Sequence, residues 1–410
     1  MKTKIYSLLV LCAGLLFSGH VNAQCGMRYV DSLFSYSVST VTYDSYDSLM
    51  DIYQPIGDTA SKRPVMILAH GGTFISGNKS DDLAVTTLCQ NFAQRGYVTV
   101  SINYRLITLA QLLTDQGTGD TAAIITEVIQ SLSDGKAAVR YMSKDAATAN
   151  LYRIDTTKIF IGGNSAGAVM AMHYGYIDSL QQTTAQLQGI INANGGLEGN
   201  SGNAGYNSKV AAVVSLAGGL NNPAWVQTGG IPSFNAQGTS DVTVPYYCMD
   251  AENNQIGVRL CGLGSLQPYY DSAHITESSL LFPGQPHVPW ETNPAMMYSV
   301  DSAATAFFVN AHLVTPVQYC PFSTGINNVT AEASISLFPN PATDVINLHS
   351  SLPVTGITIC DETGRQVRFI GSLNTANYQI NTTDLSRGVY FVKLETANST
   401  APVVKRIVLE

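Results

Sequence analysis

The strongest chemical signal in the sequence is a serine inside a short glycine-rich segment. Residues 162–167 read Gly-Gly-Asn-Ser-Ala-Gly, which contains G-x-S-x-G centred on Ser165. The strand-like run 158–161 precedes this segment, and a helical stretch, 166–176, follows it. At so sharp a turn, larger side chains would collide with the strand and the helix, so glycine is required and the hydroxyl is left exposed. With 35 glycines in the chain, the pattern also arises by chance. The strand–turn–helix setting favours Ser165 as a nucleophile over a plain glycine-rich loop.

A second segment supplies groups that could stabilise a developing negative charge. Residues 70–74 read His-Gly-Gly-Thr-Phe and follow the apolar run 65–69. A strand that ends in this way leaves backbone N–H groups free to face an oxyanion, and removing one such donor typically costs about 10²–10³ in rate. We predict that the donors are the N–H groups of Gly72, Thr73 and Ala166. The alternative is an ordinary turn between a strand and a helix, and the histidine of this segment is interpreted as structural.

A general base is expected late in the same region. With this type of serine turn, the catalytic groups follow one another as Ser, then Asp or Glu, then His. His287 lies just after the strand-like run 280–282, and loops at the carboxyl ends of strands are where such sites assemble. His274 precedes that run, and His173 lies on the helix that follows Ser165, where we expect a packed or surface residue. We predict His287 as the base, with His274 as the alternative.

Serine, acid and histidine would form a catalytic triad, and the acid should lie between the other two in the sequence. The strand-like run 231–235 is followed by a polar loop that contains Asp241. A carboxylate at this point could accept the imidazole N–H and hold the tautomer that leaves the other ring nitrogen free for the serine. We predict Asp241 in this role, with Asp250 and Glu252 as rivals.

Composition and cysteine spacing do not indicate a metal, a cofactor or nucleic acid. The chain has 21 Lys and Arg against 29 Asp and Glu, a formal net charge of −8, which leaves no general basic surface. The sequence contains no C-x-x-C and no Cys/His cluster at zinc spacing. We expect no cofactor. Cys248 and Cys261 are close in sequence and form the predicted disulfide, while other pairings stay open.

The first 23 residues are predicted to be a secretory signal peptide. Lys2 and Lys4 form a positive region, 5–17 is apolar, and Val21-Asn22-Ala23 supplies small residues for cleavage. This apolar run is too short to cross a bilayer comfortably, which argues against a transmembrane anchor. No later segment has roughly 18 uninterrupted apolar residues. The mature chain is therefore expected to be exported through the periplasm without a transmembrane segment, and to be secreted or held at the cell surface.

The remaining patterns predict two domains of different class. Strand-like apolar runs alternate with helical stretches up to about residue 314, which is typical of an α/β domain with a mostly parallel sheet. From residue 335 onward, short strand-like pieces separated by turns favour a small all-β sandwich. The predicted division is a signal peptide (1–23), a catalytic domain (24–314), a linker (315–334) and a β-sandwich (335–410).

The first region resembles the α/β-hydrolase superfamily, in its carboxylesterase and lipase branch. The matching segments, in chain order, are 50–55, 70–74, 104–106, 162–167, 238–245 and 284–287. The resemblance implies the same nucleophile, acid, base and oxyanion donors as the residue patterns do, and no cofactor. Two positions depart from the usual pattern. Thr73 stands where relatives carry a third glycine, and Asn164 stands where many carry an acid.

The tail is similar to the type A C-terminal sorting domain of the bacterial type IX secretion system. The matching segments are 337–344, 361–365, 385–392 and 404–408. The resemblance implies that the type IX machinery is a partner and that the tail directs export. The alternative is an accessory carbohydrate-binding sandwich.

Together these features predict a secreted serine carboxylic-ester hydrolase that acts on a small-molecule or glycan-linked ester. A serine peptidase on the same fold, or a non-catalytic surface protein with a hydrolase-like domain, are the alternatives. The loops 104–121, 195–209 and 246–274 are expected to shape the pocket.

Overall fold

A computed structural model describes residues 25–108, 121–254, 257–320, 335–362, 364–396 and 402–410. The predicted signal peptide and most of the predicted linker lie outside these residues. The chain divides into two compact units, Met1–Pro321 and Phe322–Glu410.

The described part of the first unit contains twelve strands and seven α-helices. The strands are β1 (Gly26–Arg28), β2 (Ser35–Thr42), β3 (Leu49–Ile56), β4 (Arg63–Ala69), β5 (Val98–Ile102), β6 (Ile154–Asn164), β7 (Ala212–Leu216), β8 (Ser233–Gly238), β9 (Met249–Asp250), β10 (Arg259–Leu260), β11 (Glu277–Phe282) and β12 (Val317–Tyr319). The helices are α1 (Leu83–Gln94), α2 (Ala122–Ala147), α3 (Ala166–Tyr176), α4 (Ala185–Ala193), α5 (Ala251–Asn254), α6 (Leu263–Ala273) and α7 (Pro294–Asn310). Single 3₁₀ turns occur at Leu180–Gln182, Pro223–Trp225 and Pro289–Glu291.

Eight strands form one mostly parallel sheet. Their order is β11-β8-β7-β6-β4-β5-β3-β2. The five pairs from β11 to β5 are parallel, and only β5–β3 and β3–β2 are antiparallel. The predicted α/β-hydrolase fold is therefore confirmed. The strands β4, β5 and β7 are buried at every position and are mostly apolar, because helices cover both faces of a parallel sheet.

Alternate side chains of the central strands enter two separate cores. Val65 and Ile67 pack on the face covered by α2 and α3. Met66 and Leu68 pack on the opposite face, against α1 and α7. The two-residue period of a strand produces this division, and each core fixes one set of helices against the sheet.

Some element boundaries differ from the predicted ones. The strand predicted to start at residue 231 begins at Ser233, because Pro232 has no N–H to donate to a neighbouring strand. The helices α4 and α6 were not predicted: α4 buries only Ile191, and α6 contains Pro268. A weak apolar stripe and an internal proline both remove the usual sequence signal for a helix.

Two disulfides occur among the described residues of the first unit. Cys25 bonds to Cys320, next to the antiparallel pair of β1 and β12, and Cys248 bonds to Cys261 as predicted. Over the described ranges, no helix combines the length and the apolar character needed to cross a membrane.

The second unit is the predicted small all-β domain. Its described strands are β13 (Ile335–Phe338), β14 (Val345–Asp361), β15 (Gln366–Ile370), β16 (Thr375–Asn381), β17 (Gly388–Thr396) and β18 (Val403–Leu409). All pairs among them are antiparallel. The long strand β14 pairs with β13 and β16 through its first half, and with β15 and β17 through its second half. Residues of both halves, among them Ile346 and Ile359, enter one apolar core.

Candidate active site

Ser165 occupies a strained turn between β6 and α3. Its φ and ψ are 53° and −118°, a conformation that an L-residue adopts only when its surroundings enforce it. The turn brings α3 so close to the sheet that a Cβ atom at Gly167 would lie 2.1 Å from the carbonyl oxygen of Ala69. A Cβ atom at Gly163 would lie 2.5 Å from the same oxygen. The glycines of the segment are therefore required by packing.

The three predicted triad residues are brought together at one edge of the sheet. They follow β6, β8 and β11, whose carboxyl ends share an edge because these strands run parallel. His287 Nε2 lies 2.8 Å from Ser165 Oγ, and His287 Nδ1 lies 2.7 Å from Asp241 Oδ2. This arrangement is a continuous hydrogen-bonded line from a carboxylate to a hydroxyl.

The carboxylate of Asp241 is buried and held in place. The residue is 3% exposed, and its Oδ1 accepts hydrogen bonds from the backbone N–H groups of Thr243 (3.0 Å) and Val244 (3.1 Å). Oδ2 is thus the oxygen that faces the imidazole. Among the described residues, neither rival acid forms a hydrogen bond with His287: Asp250 is on β9, and Glu252 accepts from Thr73 Oγ1. His274, the alternative base, ends α6 in a left-handed conformation before β11.

The loop after β4 lines the same cavity as Ser165 and carries two of the predicted oxyanion donors. Among the described residues, none accepts a hydrogen bond from the N–H of Gly72 or of Thr73. The N–H of Ala166 belongs to the first residue of α3, where an intrahelical partner does not exist. By contrast, the N–H of Gly71 is bound to Asp82 Oδ2 at 2.9 Å. The N–H groups predicted as donors are therefore free of a partner among the described residues, and their role in an oxyanion hole stays a prediction.

Gly72 is required in this loop by its backbone. Its φ is +114°, and a Cβ atom there would lie 2.0 Å from the carbonyl oxygen of Ser76. Thr73 and Phe74 follow with φ values of 54° and 60°. For a β-branched residue such as Thr73, this left-handed conformation is unusual and costs about 1–2 kcal/mol.

A partly buried polar network, centred on the buried side chain of Asn164, joins the three loops of the site. The side-chain amide of Asn164 donates to Asp82 Oδ2 (3.0 Å) and to Glu291 Oε1 (2.5 Å), and its oxygen accepts from Trp290 Nε1 (3.1 Å). Burial, and then the charge of Asp82, raise the pKa of Glu291. An acid at position 164 would place three carboxyl groups together, which explains why an amide replaces the acid found in many relatives.

The network includes residues that the sequence analysis missed. Asp82 caps α1 by accepting from Val85 N (3.0 Å), so an N-cap signal before Leu83 was present in the sequence. Nothing local marks its second role at Gly71 and Asn164. Glu291 follows the predicted His287 loop, but no motif singles it out.

A large cavity opens beside Ser165. Its volume is about 550 Å³. Most of its lining is apolar, including Phe74, Ile107, Ile125, Val128, Val169, Trp225, Val244 and Leu260. Among the described residues that line this cavity, Glu252 is the only Asp, Glu, Lys or Arg. His173 also lines the cavity, and burial lowers its pKa to about 4, so it is neutral near pH 7.

A second cavity, of about 320 Å³, is lined by both Ser165 and His287. Several of its lining residues are polar, among them Asn78, Asp81 and Glu291. His70 also lines it, with Nδ1 2.7 Å from the carbonyl oxygen of Gly71 and its ring stacked on Tyr104 at 4.5 Å.

One expectation about the pocket was wrong. The predicted pocket loop 195–209 does not line either cavity beside Ser165 within the described residues. It is bound to α2 instead: Ser201 Oγ donates to Asp134 Oδ1 (2.6 Å), and Arg140 Nε donates to the carbonyl oxygen of Gly202 (2.9 Å). These buried polar contacts draw the loop over the helix and away from the site.

Among the described residues, no group of three His, Cys, Asp or Glu side chains could hold a metal ion.

The fold and this arrangement of side chains define the first unit as an α/β-hydrolase. Residues 50–243 match the BD-FAE family model, and residues 336–410 match the secretion system C-terminal sorting domain. The protein is an esterase-like hydrolase of the carboxylic-ester hydrolase class with a type IX sorting domain, and it is secreted or held at the cell surface.

Solved structures similar to this chain include several forms of esterase 2 from Thermogutta terrifontis. The form phosphonylated by cyclosarin is 19% identical, with a TM-score of 0.48, and the match covers 69% of this chain and 96% of the esterase. The butyrate-bound form is 18% identical, with a TM-score of 0.48 and coverages of 68% and 96%. No curated protein matches the sequence.

Proposed function

We propose that the protein hydrolyses carboxylic esters through an acyl-enzyme on Ser165. The observation that carries the proposal is the line from Asp241 through His287 to Ser165, with separations of 2.7 and 2.8 Å. In the first step, His287 takes the hydroxyl proton while Ser165 Oγ attacks the ester carbonyl. The N–H groups of Gly72, Thr73 and Ala166 then stabilise the oxyanion.

The second half of the reaction uses the same groups. His287 returns the proton to the departing alcohol, and an acyl-enzyme remains on Ser165. Water, deprotonated by His287, then attacks the acyl carbonyl and releases the acid. The carboxylate of Asp241 keeps the imidazole oriented throughout and stabilises its protonated form.

The two cavities support an assignment of the two halves of the substrate. The 550 Å³ cavity is largely apolar and is much larger than an acetyl group needs, so it suits a bulky apolar acyl group. The 320 Å³ cavity is lined in part by polar residues, including Asn78 and Asp81, whose oxygens accept hydrogen bonds. It suits the alcohol of a polyhydroxylated, glycan-linked ester. The sorting domain implies that the enzyme meets such substrates outside the cell.

The acyl assignment predicts a strong chain-length preference. We expect kcat/KM for p-nitrophenyl esters to rise at least about tenfold from acetate to hexanoate, because each buried methylene contributes up to about 0.8 kcal/mol. The measurement is steady-state hydrolysis of the p-nitrophenyl series, beside an aminoacyl p-nitroanilide series. A Val128→Trp variant, which fills part of the large cavity, should lower hexanoate hydrolysis more than acetate hydrolysis.

Two results would contradict this function. A preference for acetate that Val128→Trp leaves unchanged would show that the large cavity does not take the acyl group. Turnover of anilides without turnover of esters would identify a peptidase.

A further inference from the structure

We infer that Glu252 is a positioning residue for the oxyanion hole, acting through Thr73. This inference rests on the proposed function, since it concerns the donor that Thr73 supplies. The sequence raised two separate questions, a threonine in place of the third glycine at position 73 and an unused acid at position 252. The structure joins them, because Thr73 Oγ1 donates a hydrogen bond to Glu252 Oε1 at 3.3 Å.

Thr73 needs an external contact to keep its conformation. Its φ of 54° is in the left-handed region, which glycine adopts freely and a β-branched residue disfavours. The N–H that would face the oxyanion belongs to this same residue. A loop that relaxed toward negative φ would turn that N–H, so catalysis depends on a conformation that threonine does not favour by itself.

Glu252 is held firmly enough to supply this contact. Its own backbone N–H donates to the carbonyl oxygen of Thr243 at 2.9 Å. Thr243 in turn donates its N–H to Asp241 Oδ1 at 3.0 Å. Two hydrogen bonds through Thr243 therefore connect Glu252, whose carboxylate contacts Thr73, to Asp241, the acid of the triad.

The disulfide closes the segment that carries Glu252. Cys248 and Cys261 are bonded, and between them β9 and β10 pair with Asp250 opposite Arg259. Ala251 N also donates to the carbonyl oxygen of Val258 at 2.9 Å. The disulfide, the strand pairing and this hydrogen bond restrain the backbone next to Glu252. The Glu252 side chain therefore contacts Thr73 from a cross-linked hairpin.

The test is a double-mutant cycle on purified protein with a p-nitrophenyl ester that the wild type hydrolyses. Glu252→Ala is expected to lower kcat about tenfold with less than twofold change in KM, because an oxyanion donor acts mainly in the transition state. Thr73→Val removes the hydroxyl at nearly constant shape and should give a similar loss. The double variant should be no worse than either single variant, because both remove the same bond.

Matched variants separate positioning from other roles. Glu252→Gln keeps a hydrogen-bond acceptor and should retain kcat within about twofold. Asp250→Ala, two residues away on the same hairpin, should leave kcat and KM unchanged. Thermal unfolding of each variant shows whether a loss of activity is a loss of folded protein.

Several outcomes would overturn the inference. One is an unchanged kcat in Glu252→Ala. Another is a rise in KM alone, which would place Glu252 in substrate binding. Fully multiplicative losses in the double variant would show that the two side chains act independently. A Ser165→Ala variant that stayed active would instead remove the proposed function, whatever the cycle showed, so the two failures can be told apart.

Discussion

Ser165→Ala is expected to abolish ester hydrolysis, with a loss of about 10⁵ in kcat. The Ser165 hydroxyl lies 2.8 Å from His287 Nε2, and alanine leaves nothing to form the acyl-enzyme. Binding of the substrate should survive, because both cavities and the N–H groups around the site remain. The measurement is hydrolysis of p-nitrophenyl butyrate by wild type and variant at equal concentrations of folded protein.

The control for this prediction is Ser272→Ala. Ser272 is an exposed residue near the end of α6, and its replacement should leave turnover unchanged. Near-native turnover in Ser165→Ala would refute the assignment of the nucleophile.

Asp241→Asn is expected to lower kcat by about 10³–10⁴ while the protein stays folded. The backbone N–H groups of Thr243 and Val244 hold Oδ1 of the native side chain. They would hold the amide oxygen in the same way, so the NH₂ group would face His287 Nδ1. That nitrogen would then accept rather than donate, the proton would move to Nε2, and the imidazole could no longer take the proton of Ser165.

The pairing with Ser165 makes this prediction specific. In a Ser165→Ala background, Asp241→Asn should cause little further loss, since the residues of a triad act as a unit. Asp250→Asn serves as the matched control, because Asp250 was the rival acid and lies on β9. Retention of a tenth or more of wild-type kcat in Asp241→Asn would contradict the predicted role.

Most of the fold and the three triad residues could be predicted from the sequence, because packing and topology restrict the residue types at these positions. The turn at Ser165 leaves so little space that only glycine fits at positions 163 and 167. The close packing of this turn can therefore be inferred from the residue types. The run 65–69 of β4 is apolar at every position because both faces of this strand are covered. Since parallel strands end at one edge, the loops that carry Asp241 and His287 could be assigned to one site from chain order alone.

The polar contacts around the triad could not be predicted in this way. Asp82 meets Asn164 across 82 positions of sequence, and Glu291 meets Asn164 across 127. Glu252 reaches Thr73 across 179 positions. Such pairs depend on how loops fold over the sheet, and a single charged residue in a loop carries no periodic signal. The loop 195–209 was misplaced for the same reason, because its partners Asp134 and Arg140 lie on a helix distant in sequence.

The most direct test of the central claim is covalent labelling with a fluorophosphonate probe, followed by mass spectrometry of the digested protein. Fluorophosphonates react with serines that a neighbouring base activates. The predicted result is one adduct per chain, on the peptide that contains Ser165, formed much more slowly in His287→Ala. Absence of an adduct on the folded protein, or an adduct on a different residue, would contradict the assignment of Ser165, His287 and Asp241 as a catalytic unit.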